Sequence, residues 1–446
     1  MTDTPPQFAA RGQVASNLVV GDAQITVTAD ALEVTTSTGA ATWPYPDVLG
    51  MALANYAVSV RTTSGDVVVS RLGHDTEPFY QHLLTAYDDK VRRALFVTSA
   101  PVVRAKGHYS YDEAGQVITG TAPIEVHDDA VLVLPPDLNA RRIPLCLVES
   151  VESHDYQLAI TLTTGERYIF ARLGYETEPV ERAIAEGRQR MHGAAVANVR
   201  ELDATLRPDQ ATALARLLLA GLAAPVGRLA QIAPSFVTAL ETRLATTRAA
   251  ETYQTFRDLC DPDQICIGFT KVDPRATSDA PSDDPADPAD DPASSPDPAA
   301  VLAGLGGLSG LASAAGLSDV GGLASDGSDD TKDADPYRLW LIAPSRSDGM
   351  TAVEFAGRGT DAAATFVYRH DGPGAQFATT LNRALEAVAF AREPIRLDEA
   401  ELADPRYAKY RMAVQRNTSL QTVRQCLVAR VVHRTTWHDT ITGYFT

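Results

Sequence analysis

Nucleophiles, metal ligands and acid–base pairs are the side chains that carry chemistry, and this sequence spaces none of them in a recognised catalytic pattern. The nine histidines are scattered, and none belongs to a His-Glu-x-x-His zinc motif. No Gly-x-Ser-x-Gly nucleophile elbow is present. The four cysteines, Cys146, Cys260, Cys266 and Cys426, form no Cys-x-x-Cys pair and predict reduced, mostly buried thiols. The sequence therefore predicts a protein that is not an enzyme and uses no metal or cofactor.

A basic segment towards the end of the chain is the main candidate for binding. From Arg406 to Arg434 there is no acidic residue. The candidate contacts with an anionic surface are Arg406, Lys409, Arg411, Arg416, Arg424, Arg430 and Arg434. Apolar residues at helical spacing, from Leu420 to Val431, predict that this segment is helical. Two interpretations stay open: the helix meets anionic lipid or nucleic acid, or it covers the sheet of the folded body or pairs with the acidic residues at 273–335.

The net charge is unevenly distributed along the sequence. The formal charge of the chain is −18, and 14 aspartates against Arg275 and Lys332 give residues 273–335 a net charge of −12. The remainder lacks the basic face that phosphate-backbone binding needs, so no nucleic-acid partner is expected. Residues 273–335 are rich in Pro, Asp and Ala and then in Gly, Leu and Ala, which predicts a disordered insertion. The 34 arginines against five lysines suggest a GC-rich bacterial genome.

Ten residues recur almost unchanged about one hundred positions apart. "SRLGHDTEPF" occupies 70–79, and "ARLGYETEPV" occupies 171–180. The similarity extends upstream, where "YAVSVRTTSGDVVVSRLG" (56–73) matches "YQLAITLTTGERYIFARLG" (156–174). Because the offset stays near one hundred, the pattern indicates a tandem duplication of a whole domain.

The repeated ten residues are interpreted as a structural joint between the last strand of each unit and a helix. The residues of the joint are Arg71, Gly73, Thr76 and Pro78 in the first unit and Arg172, Gly174, Thr177 and Pro179 in the second. In both units the glycine ends the strand, the threonine is the predicted N-cap of the helix, and the proline lies in the first helical turn. The arginine is expected on the last strand, paired with a nearby acid.

The sequence of each unit predicts short strands with alternating apolar residues, followed by one helix. Apolar residues at every second position, such as Val58, Val60, Val67 and Val69, predict a meandering antiparallel sheet with one buried face. Six or seven strands closed by one C-terminal helix resemble the pleckstrin-homology-like (PH-like) superfold, of bacterial type. Lipid-binding members of that superfold resemble one another in basic residues beside the first hairpin. The corresponding turns here read "TADA" and "HDDA", so phosphoinositide binding is not expected.

The predicted fold class is α+β, with tandem PH-like antiparallel barrels or sandwiches, each capped by a C-terminal helix, and helical connecting segments. A third copy is predicted from strands at 264–272, 337–345, 351–357 and 364–370 that precede a helix. The predicted boundaries are a flexible N-terminus at 1–14, PH-like units at 15–98 and 118–194, a helical connector at 195–258, a third PH-like unit at 259–396 interrupted by the insertion at 273–335, and a helical segment at 397–446.

These features predict a cytoplasmic, non-enzymatic scaffold or adaptor that binds protein partners through sheet edges, through the groove beside each capping helix and through the tethered acidic insertion. No signal peptide and no apolar run of about 20 residues is visible in the sequence. The alternative is peripheral binding to an anionic membrane surface through the basic segment. The sequence does not identify the protein partner.

Overall fold

The computed structural model describes residues 7–113, 115–247, 249–271, 337–347, 349–356 and 364–446. These residues form a mixed α+β fold with three antiparallel sheets. The predicted insertion at 273–335 lies outside the described residues, and its disorder stays a prediction.

The first sheet has seven strands and one buried face. The strands are β1 (Phe8–Ala15), β2 (Val20–Val27), β3 (Ala31–Thr36), β4 (Ala40–Pro44), β5 (Val48–Ala54), β6 (Ala57–Thr62) and β7 (Gly65–Ser70), in the spatial order β4-β3-β2-β1-β7-β6-β5. Alternate apolar residues of β6 and β7, including Val58 and Val67, are buried, as the alternation predicts. Helix α1 (Thr76–Ala94) follows and buries Phe79 and Tyr87 against this face.

The second sheet repeats the first strand for strand. Its strands are β8 (Val103–Glu113), β9 (Gln116–Val126), β10 (Ala130–Val133), β11 (Arg141–Pro144), β12 (Val148–His154), β13 (Gln157–Leu162) and β14 (Arg167–Ala171). The order β11-β10-β9-β8-β14-β13-β12 matches that of the first sheet. A β-bulge recurs at the same place, between Val48 and Gly50 and between Val148 and Ser150. Helix α2 (Thr177–Leu202) follows, so the predicted repetition of a β-sheet unit is confirmed.

Each unit begins one strand earlier than the sequence predicted. Strand β1 precedes the predicted boundary at residue 15, and β8 precedes the one at residue 118. Both were missed because small and charged residues, as in "FAARGQVA", weaken the alternation of apolar positions. The turns "TADA" and "HDDA" consequently join the second and third strands of each unit, and they are not the first hairpins.

The remaining described residues form a third sheet among helices. Its strands are β15 (Ala224–Pro225), β16 (Cys266–Lys271), β17 (Tyr337–Pro344), β18 (Met350–Ala356), β19 (Ala364–Arg369) and β20 (Leu427–Val432). The helices are α3 (Pro208–Leu217), α4 (Val226–Ile232), α5 (Pro234–Leu244), α6 (Ala250–Leu259), α7 (Gly374–Ala387), α8 (Glu393–Arg396), α9 (Glu399–Leu402), α10 (Ala408–Gln415), α11 (Thr418–Cys426) and α12 (Trp437–Phe445).

The third sheet differs from the first two in its strand order. The strands follow one another in chain order, from β15 to β20, so the predicted strands-then-helix sequence is present but the first sheet's topology is not. Residues 427–432 form an edge strand, and the prediction that they are helical is wrong. The segment "LVARVV" is rich in β-branched residues, and its apolar positions fit either period until β19 supplies a pairing partner.

The later elements pack onto the two repeated units. Leu132, Leu134 and Ala140 of the second unit join the core under the first sheet, together with Met412 of α10. Helix α7 covers β11, whose four residues are all buried. This packing leaves different edges of the two sheets accessible.

Candidate functional site: a free sheet edge

The outer edge of the first sheet, strand β5, is covered by a segment of the second unit. The N–H of Met51 donates a hydrogen bond of 2.8 Å to the carbonyl oxygen of Pro136. Gly50 and Asp137 form an antiparallel bridge beside it. The first sheet is thus extended by a short piece of extended chain, and Met51 is buried as a result.

The covering segment, residues 134–140, is the connection between β10 and β11. It is longer than the connection between β3 and β4 in the first unit, which comprises residues 37–39. Leu134 and Ala140 anchor it in the core of the first sheet, and the Tyr87 hydroxyl donates to the Asp137 carbonyl over 3.2 Å. The Asp137 carboxylate accepts from the N–H of Asn139, which fixes the local turn. The contact is therefore a built interface between the two units.

The equivalent edge of the second sheet, strand β12, is open. In the matched register Val151 takes the place of Met51, so its N–H points away from β13. Within the described part of the chain, no strand lies on that side of β12 and no backbone carbonyl accepts from Val151. Val151 is half-buried where Met51 is buried. The outward backbone groups of β12 are consequently unpaired among the described residues beyond Val148, whose carbonyl accepts from Arg188 Nη2 over 2.7 Å.

Side chains along β12 define what would fit this edge. Glu149 and Glu152 are exposed, and no described residue forms an ion pair with either of them. At the end of the strand Asp155 and Tyr156 turn the chain with positive φ angles of 49° and 61°. A tyrosine in this conformation costs about 1–2 kcal/mol, yet its side chain is 93% exposed and stabilises no core. The edge therefore offers backbone groups, two carboxylates and a free aromatic ring.

Three other strands at sheet edges are less suited to accept an added strand. Strand β4 has five residues and ends at Pro44, which has no N–H to donate. Strand β11 is covered by α7. Strand β15 has two residues. These features single out β12 as the accommodating edge of the two repeated sheets.

The basic segment predicted to contact an anionic surface is largely engaged by the protein itself. Its ion pairs are Arg406 with Asp404, Arg411 with Asp47, and Arg424 with Glu399. Arg416 is buried, and the Lys409 ammonium lies 4.2 Å from the centre of the Phe96 ring. Arg430 lies on β20, and Arg434 is exposed just beyond it. The seven residues therefore do not share one face of a helix.

The arginines and glycines of the two joints lie beyond the strands. Arg71 and Arg172 have φ angles of 57° and 59°, and Gly73 and Gly174 have φ angles of 59° and 61°. The prediction that the arginines lie on the last strand is wrong, because the chain has already turned at these positions. Arg172 instead contacts His108, with 3.4 Å between Nη1 and Nε2. The prolines lie in the first helical turn, as expected: Pro78 and Pro179.

The threonines of the joints are not N-caps. Both helices begin at Thr76 and Thr177, where helices were expected, but these residues already have helical backbone angles. Each hydroxyl donates backwards, to the carbonyl of Gly73 over 2.9 Å and to that of Gly174 over 3.0 Å. A 3-10 turn runs directly into each helix, so no extended residue precedes it to serve as a cap.

A buried histidine has the neighbours of a catalytic base but not the geometry. His127 Nε2 lies 3.3 Å from Glu125 Oε2, and its Nδ1 lies 2.9 Å from the carbonyl oxygen of Ser99. Because a carbonyl oxygen only accepts, Nδ1 carries the hydrogen and cannot take the proton of the Ser99 hydroxyl, 3.4 Å away. This cluster links the end of the first unit to β9 and does not activate a nucleophile.

Two carboxyl groups at the same interface have shifted pKa values. Burial acts to raise the pKa of Glu125, but hydrogen bonds from His127 and Arg92 outweigh it and lower the pKa to about 2. Burial raises the pKa of Asp88 on α1 to about 7; Arg92 opposes this shift, and Glu125 and Asp89 add to it. The shifts follow from the packing of α1 on the second sheet.

The described cysteines are all unpaired, and burial raises the pKa of Cys260 and of Cys266 to about 12. Across the described ranges no group of three His, Cys, Asp or Glu side chains is placed to hold a metal ion. Among the described helices, none has the length and apolar character needed to cross a bilayer. No family model matches this chain, and no curated protein is significantly similar to it.

The β12 edge was not predicted as a particular site, although the sequence carries a signal of it. Aligning the two units shows that residues 134–140 have no counterpart of equal length in the first unit. Such an extra segment indicates that the second unit makes a contact that the first does not. Only the structure shows that this segment contacts β5.

Proposed function

We propose that this protein is a non-enzymatic adaptor that binds an extended segment of a protein partner along the outer edge of β12. The observation that carries the proposal is the pairing at β5, where an equivalent edge already accepts extended chain through the N–H of Met51. Addition of a strand to an open sheet edge is a general mode of peptide recognition, in which backbone hydrogen bonds give affinity and side chains give specificity.

The partner segment would be extended and would contain basic residues. Glu149 and Glu152 are exposed along the edge, so lysine or arginine on the added strand would gain opposite charges. Tyr156 at the hairpin tip would add an exposed aromatic contact. The finer assignment of the two repeated units to the PH-like superfold is part of this proposal, supported by seven strands and a following helix in each unit.

Two proline substitutions test the site, because β12 alternates outward and inward N–H groups. In Val151→Pro the outward N–H is lost and the ladder to β13 is kept, whereas Glu152→Pro removes a ladder donor. Peptides would be selected from a random display library against the wild-type chain, and their affinities measured for both variants. We expect Val151→Pro to melt close to wild type and to lose affinity about tenfold or more.

The same experiment separates the proposal from its rivals. Selected peptides should be rich in basic residues and should protect the Val151 amide from hydrogen exchange. Equal affinity for wild type and Val151→Pro would exclude this edge as the site. Peripheral membrane binding through Arg406–Arg434 is the alternative, and co-sedimentation with anionic vesicles that is unchanged in Val151→Pro but lost in Arg434→Glu would favour it.

A further inference from the structure

Arg188 of α2 lies beside the open edge of β12. Its Nη2 donates a hydrogen bond of 2.7 Å to the carbonyl oxygen of Val148, the first residue of the strand. Because both helices begin at the matched threonines of the two joints, Arg188 corresponds to Tyr87 on α1. The two units therefore place an arginine beside the open edge and a tyrosine beside the covered one.

The matched tyrosine shows what a residue at this place on the helix does when the edge is paired. At β5 the covering segment runs antiparallel to the strand, with Asp137 opposite Gly50. The Tyr87 hydroxyl donates to the backbone carbonyl oxygen of Asp137 over 3.2 Å. In the second unit Ser150 takes the place of Gly50. Arg188 is thus positioned to contact the main chain of an added segment at the residue that lies opposite Ser150.

Arg188 carries a positive charge that the described part of the chain does not compensate. Its hydrogen bond to the Val148 carbonyl is the only one it makes to a described residue, and no described carboxylate forms an ion pair with it. The side chain is half-buried, and this burial lowers the pKa of its guanidinium. A guanidinium has several N–H donors, and a carboxylate matches them in both charge and geometry.

Arg188 also determines where pairing along β12 ends. An added strand that is antiparallel, as the covering segment is at β5, would run from the His154 end of β12 towards the Val148 end. Because the Val148 carbonyl already accepts from Arg188, the new ladder would stop at Ser150. The end of the added segment that reaches Arg188 is consequently its C-terminal end.

We propose that the segment bound at β12 is the C-terminus of a partner chain and that Arg188 binds its terminal carboxylate. The last residue would lie opposite Ser150, where its carboxylate takes the place that the Asp137 carbonyl oxygen has at β5. A terminal carboxylate there gains a charge-assisted hydrogen bond that an internal segment lacks. Glu149 is nearby but exposed, so solvent screens its repulsion of the carboxylate. This inference rests on the proposed function, because it specifies which part of a partner pairs with the β12 edge.

Peptides displayed with a free C-terminus and selected against the wild-type chain provide the probe. Each selected peptide would be synthesised with a terminal carboxylate, with a terminal amide, and with a short glycine extension after its last residue. We expect the amide and the extension to weaken binding to the wild type about tenfold or more, because the charge-assisted hydrogen bond is lost. In Arg188→Gln the carboxylate and amide forms should bind equally, which would assign the preference to this side chain.

Variants of the same helix provide the controls. Arg182→Gln removes an exposed arginine that pairs with Glu178, and it should keep the full preference for the carboxylate. Arg188→Tyr introduces the residue of the first unit, which keeps one donor without the charge, and it should lose most of the preference. If Arg188→Gln fails to fold, Arg188→Lys keeps the charge without the planar fork, and its preference should fall by about threefold or more.

The possible outcomes separate this inference from the proposed function. Peptides that lose affinity for Val151→Pro but bind the wild type equally as carboxylate and amide would support the adaptor proposal and overturn the terminal assignment. Binding that depends on an internal Asp or Glu of the peptide, and not on its terminus, would make the ligand an acidic side chain and would also overturn it. A preference for the carboxylate that persists in Arg188→Gln would overturn the role of Arg188. Peptides unaffected by Val151→Pro would contradict both proposals.

Discussion

Strands β5 and β12 are the same strand of a duplicated unit, with the same register and the same bulge, but their surroundings differ. At β5 the N–H of Met51 is paired with Pro136, and at β12 the N–H of Val151 has no described backbone partner. A second difference runs the other way, because β4 of the first unit is exposed along alternate residues while its equivalent β11 is fully buried. Each of the two repeated sheets therefore has one edge covered and one edge without such cover among the described residues.

This comparison shows how duplication can leave a sheet edge open without new chemistry. The segment that covers β5 belongs to the next unit along the chain, and no described segment covers the equivalent edge of the second unit in the same way. Tyr56 and Tyr156 occupy matched hairpin tips with positive φ and are 87% and 93% exposed, which shows that the tips have not diverged. The two edges therefore share their backbone structure and differ in coverage and in the side chains that they carry.

The largest expected effect distinguishes the buried edge β11 from the exposed edge β4. Arg142→Ala removes the closer partner of a buried ion pair and leaves Glu386 with a 3.8 Å contact to Arg383 alone, so the free energy of unfolding should fall by about 3 kcal/mol. Thr42→Ala, at the equivalent place on β4, should change it by less than about 0.5 kcal/mol. Urea unfolding of both variants measures the difference. Similar losses for both would show that α7 contributes little to the protection of β11.

A second prediction concerns what the two sheets share. An added Cβ at Gly12 would lie 2.7 Å from the carbonyl oxygen of Ser70, and one at Gly107 would lie 2.8 Å from that of Ala171. Both glycines allow the first strand of a unit to approach the last. Gly12→Ala and Gly107→Ala should each destabilise the protein by about 1–3 kcal/mol, measured by urea unfolding. Gly443→Ala, where nothing lies near the added Cβ, is the control. A large loss in one variant alone would show that the two sheets are not equivalent at their closure.

A third prediction compares α1 with α2 through the pH dependence of the free energy of unfolding. The pKa of Asp88 is raised to about 7 in the folded protein, so the unfolded chain releases this proton at lower pH, and stability should fall as pH rises from about 4 to about 7. The matched position on α2 is Gln189. Asp88→Gln should leave stability at pH 4 nearly unchanged and raise it by about 1–2 kcal/mol at pH 8, after allowance for incomplete burial.

Denaturant unfolding at a series of pH values checks this expectation. Asp66→Asn, which removes an exposed carboxylate of β7, should leave the pH profile unaltered. If Asp88→Gln keeps the wild-type slope between pH 4 and pH 7, another group is responsible for it.

Much of the repeated architecture could be predicted from sequence, because it depends on local periodicity. Alternation at Val58 and Val60 identified strands, and helical spacing from Phe79 identified α1. Strand β20 was misread because Val431 satisfies both periods, and only pairing with β19 decides between them. Strand β1 was not predicted because its small and charged residues show no clear alternation. Its extended conformation depends on hydrogen bonds to the neighbouring strands β2 and β7.

The candidate site was less accessible to sequence analysis than the fold. Whether β12 has an unpaired edge depends on which segments lie beside it in space. The residue types at Val151 and Glu152 do not indicate this in the sequence. Likewise Arg416 appeared as one of seven basic residues, and its burial against Tyr87 depends on a contact between residues 329 positions apart. Composition predicts that arginines will bind acids or anions, whereas tertiary packing decides which ones do so inside the protein.

The smallest expected effect concerns the two joints, where the repeated sequence is most alike. Each threonine hydroxyl donates one hydrogen bond to a glycine carbonyl, which is worth about 1 kcal/mol when the group is buried and less when water can replace it. Thr76 is 6% exposed, whereas the Thr177 hydrogen bond is exposed. Thr76→Val should therefore lower the free energy of unfolding by about 1 kcal/mol, and Thr177→Val by about half of that or less.

Valine keeps the shape of threonine and adds no acceptor, so both substitutions isolate the hydroxyl. Urea unfolding of the two variants, with peptide affinity measured on the same samples, gives the comparison. Equal losses would show that solvent exposure does not distinguish the joints. Loss of peptide binding by Thr177→Val without loss of stability would place a recognition site at the second joint, because a purely structural hydrogen bond changes binding only through the fraction of folded protein.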